Sequence, residues 1–422
     1  MRARGRRAFL LLAHLMGLFI IYRLGADALD EYACKSGDAE ALGLAARAAP
    51  NAGVYLGLAA VNGYSLTSPD MSKAINYCRK AIRAAPLYDA PWYQLAFACQ
   101  SAGDRRQAEA ALDRYAALGR FCSSDMWNAG VFRLVAWADA DGAAAYFRRS
   151  IELAPASVAR AGAIYLSMGA SQDYIVKHLL PPSKDVYSRY MRYLVRRGGA
   201  EEALSFWRLG RGFIGSGEAA SLCELLISRG LYDEAWDEWR QCSGNRAQRS
   251  WRDATIVDGG FEGQVNQKSC FGWVAEKRPG VDILPGRRND GADRGLLVRF
   301  DGQEAPGLQI WQFVRVTPGR SYELSAEIKT ENIITASGVF LAVGNPRCGF
   351  YAQSGQVKGT GKWRSVSIDF RAPPGCPLLM AAIARKNALK LDPKEDSAAW
   401  VDDVRMTALK DRNVAGRGRT VP

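Results

Sequence analysis

Small residues recur at a fixed spacing in the first half of this chain. Ala74 is followed by Ala108 after 34 residues and then by Ala143 after 35 more. Each alanine lies in a stretch whose apolar residues follow the period of an α-helix. A unit of this length cannot bury its own apolar stripe, so neighbouring units must stack against one another. The spacing therefore predicts an array of stacked helical units.

The best-defined unit, residues 90–118, contains two apolar stripes. The turn signal Gly103-Asp104 separates them, which predicts two short helices joined by a tight turn. The small side chain of Ala108 lets the two helix backbones approach closely. The stripes consist of Trp92, Leu95 and Cys99 on the first helix and of Ala108, Leu112 and Tyr115 on the second.

Tryptophan, small, aromatic and closing proline residues follow one another in a regular order over Ala74–Pro155. This order resembles the tetratricopeptide repeat. The resemblance implies an α-solenoid of helical hairpins over residues 29–245, with less regular units on either side of the best-matching part. A stack of this kind forms a concave groove, which implies a protein partner. Ankyrin-like packing or another helical packing is the alternative.

The N-terminus has the pattern of an export signal. Four arginines within the first seven residues precede the apolar run Ala8–Tyr22, which Arg23 closes. Fifteen helical residues span about 22 Å, less than the ~30 Å hydrocarbon core, but flanking arginines can snorkel. We interpret residues 1–28 as an uncleaved signal anchor. The alternatives are a signal peptide cleaved near Ala26-Asp27-Ala28 and a buried N-terminal helix.

The arginines that precede the apolar run also predict an orientation. Positively charged flanks stay in the cytoplasm, so both export interpretations place the rest of the chain outside it. We therefore expect a single-pass inner-membrane protein with its bulk in the periplasm. If the signal is cleaved, we expect a secreted protein.

From residue 254 to residue 409 the sequence pattern changes to short β-rich runs separated by Gly, Pro, Asn and Asp. No helical pattern lies between these runs, which favours an antiparallel β-sandwich. Residues 410–422 are basic, and we predict a disordered tail. The predicted strands are Gly295–Phe300, Gln309–Val316, Tyr322–Lys329, Gly338–Val343, Trp363–Phe370, Leu378–Arg385 and Trp400–Leu409.

Several phrases of this second half occur in a characteristic order. They are Asp258-Gly-Gly-Phe-Glu262, Gln312-Phe-Val-Arg-Val-Thr-Pro-Gly319, Tyr322-Glu-Leu-Ser325, Gly361-Lys-Trp363 and Trp400-Val-Asp-Asp-Val404. Together they resemble carbohydrate-binding modules of the galactose-binding-like jelly-roll type, over about 256–409. The resemblance implies a noncatalytic sandwich, a jelly roll that binds sugar on a concave face or at strand-end loops.

The same resemblance implies a structural calcium ion that ties the first and last strands together. Glu262 and the pair Asp402 and Asp403 occupy the matching positions, and their carboxylates suit a hard cation. The alternative is that these carboxylates lie in strand-end turns without a metal. No cofactor is otherwise required.

Sugar binding needs an aromatic face for stacking and nearby polar groups for hydroxyls. In Gln309–Val316, one parity places Trp311, Phe313 and Arg315 opposite the apparent core. Trp273, Phe350 and Tyr351 lie in stretches that we predict to be loops. We take these six residues as candidate carbohydrate-binding residues. The alternative is that the aromatic side chains pack against other parts of the protein.

The composition of the chain argues against several classes of function. The net charge of +13 is not organised around a nucleic-acid-binding motif, so we expect no nucleic-acid partner. Two histidines make histidine-based catalysis and histidine metal sites improbable. Nine cysteines without a C-x-x-C motif argue against a redox or zinc site. We expect at most two disulfides, with Cys78, Cys99, Cys122 and Cys223 as packed thiols in helices.

These features together predict a noncatalytic, exported, membrane-anchored scaffold. Its repeats would bind a protein partner and its sandwich a polysaccharide, as in accessory proteins of bacterial exopolysaccharide or O-antigen assembly. One alternative is a protein adaptor whose sandwich no longer binds sugar. Another is a glycan-active hydrolase using Glu323 and Glu327, but about 13 Å along a strand exceeds the carboxylate separation that such chemistry uses.

Overall fold

A computed structural model describes most of the chain. The described residues are 28–29, 31–48, 50–63, 69–242, 253–263, 265, 270–276, 278–287, 294–301, 307–387 and 396–410. The predicted anchor run 8–22 and nearly all of the predicted tail lie outside them. Within the described residues, no helix has the length and apolar character that a bilayer crossing requires.

The described chain divides into two compact units. One contains the described residues up to Tyr193 together with Arg208–Phe213. The other contains Leu194–Trp207 and the described residues from Ile214 onward. The sequence places the domain boundary at residues 245–254, whereas compactness groups the last helices with the β-rich part.

The described residues up to Cys242 are mostly helical, as the repeat pattern predicts. They are α1 (Ala39–Ala48), α2 (Ala52–Gly63), α3 (Met71–Ala84), α4 (Ala90–Ser101), α5 (Arg105–Leu118), α6 (Ser123–Trp137), α7 (Ala140–Leu153), α8 (Val158–Ser167), α9 (Gln172–Tyr174), α10 (Lys184–Arg197), α11 (Ala200–Gly210), α12 (Ser216–Ser228) and α13 (Tyr232–Cys242). A π-helix, Ile175–Leu179, continues α9.

The repeat spacing also appears in the caps that start three helices. The N-cap aspartates Asp70, Asp104 and Asp139 accept hydrogen bonds from the backbone N–H groups three residues later. Each cap satisfies one of the N–H groups that an α-helix leaves unpaired at its start. The alanine four residues after each cap is at most 1% exposed. This part of the chain is therefore consistent with a helical repeat.

A bulky side chain at position 108 is expected to destabilise this unit. Ala108 is fully buried where α5 packs, so Ala108→Phe should overpack the core and cost about 1–3 kcal/mol. Ala110→Phe, on the exposed side of the same helix, is the matched control. Thermal unfolding of the full-length protein compares them. Equal midpoints for the two variants would contradict the assigned helix face.

The second unit contains a sandwich of two antiparallel five-stranded sheets, as the sequence predicts. Sheet A has the order β1-β4-β9-β6-β7 and sheet B the order β2-β3-β10-β5-β8. The strands are β1 (Val274–Ala275), β2 (Val281–Arg287), β3 (Arg294–Asp301), β4 (Leu308–Arg315), β5 (Ser321–Glu331), β6 (Phe340–Asn345), β7 (Phe350–Gln353), β8 (Arg364–Arg371), β9 (Leu378–Arg385) and β10 (Asp396–Ala408).

The core of the sandwich follows the alternation along each strand. In β4, Ile310 and Val314 are fully buried, whereas Trp311 and Phe313 alternate with this buried side and face outward. Gln312 is the polar exception on the buried side. Its amide oxygen accepts from the N–H of Val257, and its amide nitrogen donates to the carbonyl of the same residue. This pair of hydrogen bonds satisfies the buried amide and ties the segment before β1 to sheet A.

Helices α12 and α13 pack on the sandwich within the second unit. Phe271 is fully buried and contacts Trp236 and Trp239 of α13, with ring centroids 5.3 and 5.7 Å apart. The ring of Phe313 on β4 lies 6.4 Å from that of Phe271. These aromatic contacts join the last helical pair to the outward face of sheet A.

One disulfide, Cys348–Cys376, lies in the sandwich. The other seven cysteines are thiols, and Cys78, Cys99 and Cys223 are buried in helices as expected. The expectation was wrong for Cys122, which is exposed because it occupies the N-cap position of α6 rather than a core position.

Candidate functional site

The outward face of sheet A carries most of the aromatic candidates. Strand pairing places Ala382 beside Trp311 and Met380 beside Phe313. The next strands extend these rows through Ala342 to Gln353 and through Gly344 to Tyr351. One face therefore contains aromatic rings at both ends and small or flexible side chains between them.

Helix α13 engages the β4 side of this face. Arg315 forms an ion pair with Asp233, at 2.5 Å between Nη1 and Oδ1. Phe313 contacts Phe271, and Trp311 packs edge-on against Phe313 with centroids 4.9 Å apart. Trp311 also packs beside the buried pair Phe340 and Ala342. The structure thus brings Trp311, Phe313 and Arg315 together and uses all three in packing.

The β6–β7 side of the face forms an open pocket of about 300 Å³. Gly344 helps to form its floor, where a Cβ atom would lie 2.7 Å from the carbonyl oxygen of Phe350. No side chain fits there, so a depression remains between the neighbouring strands. The lining residues are Gln309, Ala342, Val343, Gly344, Asn345, Pro346, Gly349, Phe350, Tyr351, Met380 and Ala382.

Tyr351 is the exposed aromatic side chain of the pocket, at 55%. Its hydroxyl donates to Oε1 of Gln353, on the same strand, at 3.1 Å. Partial burial raises the pKa of Tyr351 above its usual value. The phenol therefore stays protonated at neutral pH and keeps a free oxygen lone pair for a ligand hydroxyl.

The two remaining aromatic candidates differ in exposure. Phe350 lines the pocket but also packs toward the core, with its ring 6.0 Å from that of Phe370. Trp273 is only 3% exposed. Its indole N–H donates to the carbonyl of Asp258, and its ring packs on Phe261. The expectation that Trp273 faces a ligand from a loop does not hold, because the loop folds the ring into the core.

Phe350 and Tyr351 were expected in a loop, and this expectation was wrong. Both belong to the four-residue edge strand β7, which pairs with β6. Gln309, Asn345 and Met380 also line the pocket and were not among the candidate residues. Gln309 shares the outward parity of Trp311, so the strand pattern could have indicated it. Asn345 and Met380 become neighbours of the pocket only through the strand pairing.

Two carboxylates of the predicted calcium site, Asp402 and Asp403, have partners within the protein. Asp402 accepts from the N–H of Asp403, and Asp403 forms an ion pair with Arg405 at 2.6 Å. Asp258 accepts from the backbone N–H groups of Glu262 and Gly263. The backbone of Val404 donates to Gly259, so the first and last segments of the sandwich do meet here.

These partners bear on whether the site suits calcium. Among the residues the structure describes, no three His, Cys, Asp or Glu side chains are grouped closely enough to hold a metal ion. Structural calcium bound by Glu262, Asp402 and Asp403 stays a prediction from the resemblance, and the function proposed below does not use it.

Sheet B carries a separate outward aromatic side chain that was not among the candidates. Trp400 on β10 lies between Leu297 of β3 and Lys329 of β5. The Lys329 ammonium is 4.6 Å from the centre of the indole ring, a cation–π contact. Glu323 and Glu327 lie on this same strand β5 and have no part in the pocket of sheet A.

Comparisons with known proteins match the β-rich region only through structure. No family model matches the chain, and no curated protein matches it. A structure described as "CBM4 structure and function" is 14% identical, covers 37% of this chain and 100% of its own, and has a TM-score of 0.28. TmCBM61 in complex with β-1,4-galactotriose is 13% identical over 37% of this chain and 99% of its own, with a TM-score of 0.26. The xylan-binding domain from CBM 22 is 18% identical over 36% and 92%, with a TM-score of 0.24.

Proposed function

We propose that this protein is a noncatalytic polysaccharide-binding scaffold whose ligand occupies the pocket of β6, β7 and β9. The observation that carries the proposal is the exposed ring of Tyr351 beside an open depression on a β-sandwich face. Such a ring can stack on the C–H groups of a pyranose, while its hydroxyl and the Gln309 amide bind sugar hydroxyls. The sequence resemblance to carbohydrate-binding modules supports the same conclusion.

A glycan-array screen of the purified full-length protein tests this proposal. The best saccharide is then titrated into wild type, Tyr351→Ala and Tyr88→Ala by calorimetry. Tyr88 is similarly exposed, at 43%, but lies in the first unit. We expect Tyr351→Ala to weaken binding at least ~10-fold, or about 1.4 kcal/mol, because it removes the ring on which the sugar stacks, and Tyr88→Ala to leave binding unchanged. Full binding by Tyr351→Ala would remove the pocket from the site.

For the helical part we propose a tetratricopeptide-like solenoid that binds a protein partner. Leu87 and Tyr88 are exposed in the turn between α3 and α4, and Phe97 is exposed on α4. Exposed apolar side chains close together in the chain support a protein contact in this region. A role as an accessory protein in exopolysaccharide or O-antigen assembly follows from combining a scaffold with a polysaccharide-binding module.

We also propose that the protein acts outside the cytoplasm, anchored to the inner membrane by its N-terminus. The disulfide Cys348–Cys376 supports this, because disulfides persist in oxidising compartments. An alkaline phosphatase fused after residue 240 is expected to be active, because that enzyme needs export to form its own disulfides. Activity only from a reporter that requires the reducing cytoplasm would contradict the proposed location.

The competing proposal is a protein adaptor whose sandwich binds no sugar. It is favoured by the internal contacts of Trp311, Phe313 and Arg315, the three outward candidates of β4. If the protein is such an adaptor, no glycan binds the wild type. Tyr351→Ala then alters only the binding of protein partners. The glycan screen therefore separates the two proposals.

A further inference from the structure

The chemistry of the pocket restricts which sugar it accepts. Its floor is built from carbon-rich side chains, with Met380 and Ala382 on β9, Ala342 on β6 and Phe350 on β7. Pro346 also lines the pocket. The polar side chains of the lining are Gln309, Asn345 and Tyr351.

Two of these three polar side chains are already engaged. The Asn345 amide nitrogen donates to the carbonyl of Leu378, and its oxygen accepts from the N–H of Arg347. The Tyr351 hydroxyl donates its proton to Gln353. The Gln309 amide and the lone pair of Tyr351 remain for a ligand, and neither belongs to the apolar floor. A sugar hydroxyl directed at the floor would lose its water without gaining a partner.

The volume of the pocket also limits the size of the ligand. A volume of about 300 Å³ is at the lower end of the range for small-ligand sites. It accommodates a short segment of a glycan rather than a long stretch of chain. A methyl group is the part of a sugar that gains most from an apolar floor, because its burial removes carbon surface from water.

We propose that the pocket selects a sugar residue bearing a methyl group, either a 6-deoxyhexose or an acetylated hexose. The methyl group contacts Met380 and Ala382, the ring stacks on Tyr351, and the Gln309 amide binds a ring hydroxyl. This inference rests on the proposed function and names the ligand class of the same site.

Matched saccharide pairs test this selectivity on the full-length protein. L-Fucose and L-galactose differ only in the hydroxyl at C6. N-Acetylglucosamine and glucose differ only at C2, where the first carries an acetamido group and the second a hydroxyl. We expect the methyl-bearing member of at least one pair to bind ~10-fold more tightly. Burying a sugar hydroxyl without a hydrogen-bond partner weakens binding by about that factor. The pair that responds distinguishes a deoxy sugar from an acetylated sugar.

A variant with a hydroxyl group in the pocket floor is the second test of this selectivity. Ala382→Ser should reduce the preference several-fold, because the serine offers a partner to the extra sugar hydroxyl. Ala398→Ser, on β10 of the other sheet, is the matched control and should leave the preference unchanged. Equal binding within both pairs, with binding still lost in Tyr351→Ala, would overturn the selectivity alone. No binding of any saccharide would overturn the proposed function as well.

Discussion

Phe271→Ala is expected to lower the free energy of unfolding of the second unit by about 3–5 kcal/mol. The ring of Phe271 is fully buried and contacts the aromatic rings of Trp236, Trp239 and Phe313. Its removal leaves a cavity where helix α13 meets sheet A. Chemical denaturation of the full-length protein, followed by tryptophan fluorescence, measures the change.

Phe121→Ala is the matched control, because Phe121 is 72% exposed and its truncation should change stability little. If Phe271→Ala unfolded at the same denaturant concentration as wild type, α13 would not be packed on the sandwich. The burial of Phe313 and the ion pair of Arg315 would then need another explanation. A loss of stability without a change in glycan binding would show that Phe271 and its neighbours on sheet A stabilise the fold and do not contact the glycan.

Loss of the disulfide is the second large effect that we expect. Cys348 and Cys376 are 28 residues apart, and closing a loop of that length stabilises a fold by roughly 3–4 kcal/mol. The double variant Cys348→Ser/Cys376→Ser should therefore unfold at lower denaturant concentration. It should also weaken glycan binding, because Cys348 ends the short helix that begins at Pro346 in the pocket lining.

Cys34→Ser is the control for cysteine replacement, since Cys34 is an exposed thiol outside the Cys348–Cys376 disulfide. Wild type is measured with and without a reductant, and reduction should reproduce the effect of the double variant. Equal stability of the oxidised, reduced and variant proteins would show that the bond does not stabilise the sandwich. The support that the disulfide gives to an extracytoplasmic location would then be lost.

Much of the architecture could be predicted because its signals are local. The aspartate caps, the alanine spacing and the period of the apolar residues all lie within single helices. Seven strands were predicted near their observed positions, and Leu378–Arg385 matches β9 at both ends. The sandwich as a fold is confirmed. The assignment of the helices to the tetratricopeptide family stays a prediction.

The missed elements are those whose structure depends on distant partners. The strands β1, β2 and β7 were not predicted; β1 and β7 are short, and β2 contains Pro285 and Gly286, residues that disfavour strands in isolation. They become strands through pairing with β4, β3 and β6. A sequence pattern shows which residues share a face, but not which strand lies beside it.

The candidate site could also be predicted only in part, because its residues come from strands and helices that are distant in the sequence. The parity of β4 correctly placed Trp311, Phe313 and Arg315 on the outward face. It could not show that α13 would contact that face, because Asp233 and Arg315 are 82 residues apart in the chain. Tyr351 was identified as a candidate, but its pocket neighbours Met380 and Ala382 depend on the strand order of sheet A.

Hydrogen–deuterium exchange of the full-length protein with its best-binding oligosaccharide tests the central claim most directly. Ligand binding should slow amide exchange in residues 342–353 and 378–384, which surround the pocket. Exchange in β10 around Trp400 and in helices α3 to α7 should remain unchanged. Slower exchange confined to the Trp400 face of sheet B or to the helices would contradict the assignment of sugar binding to the pocket of sheet A.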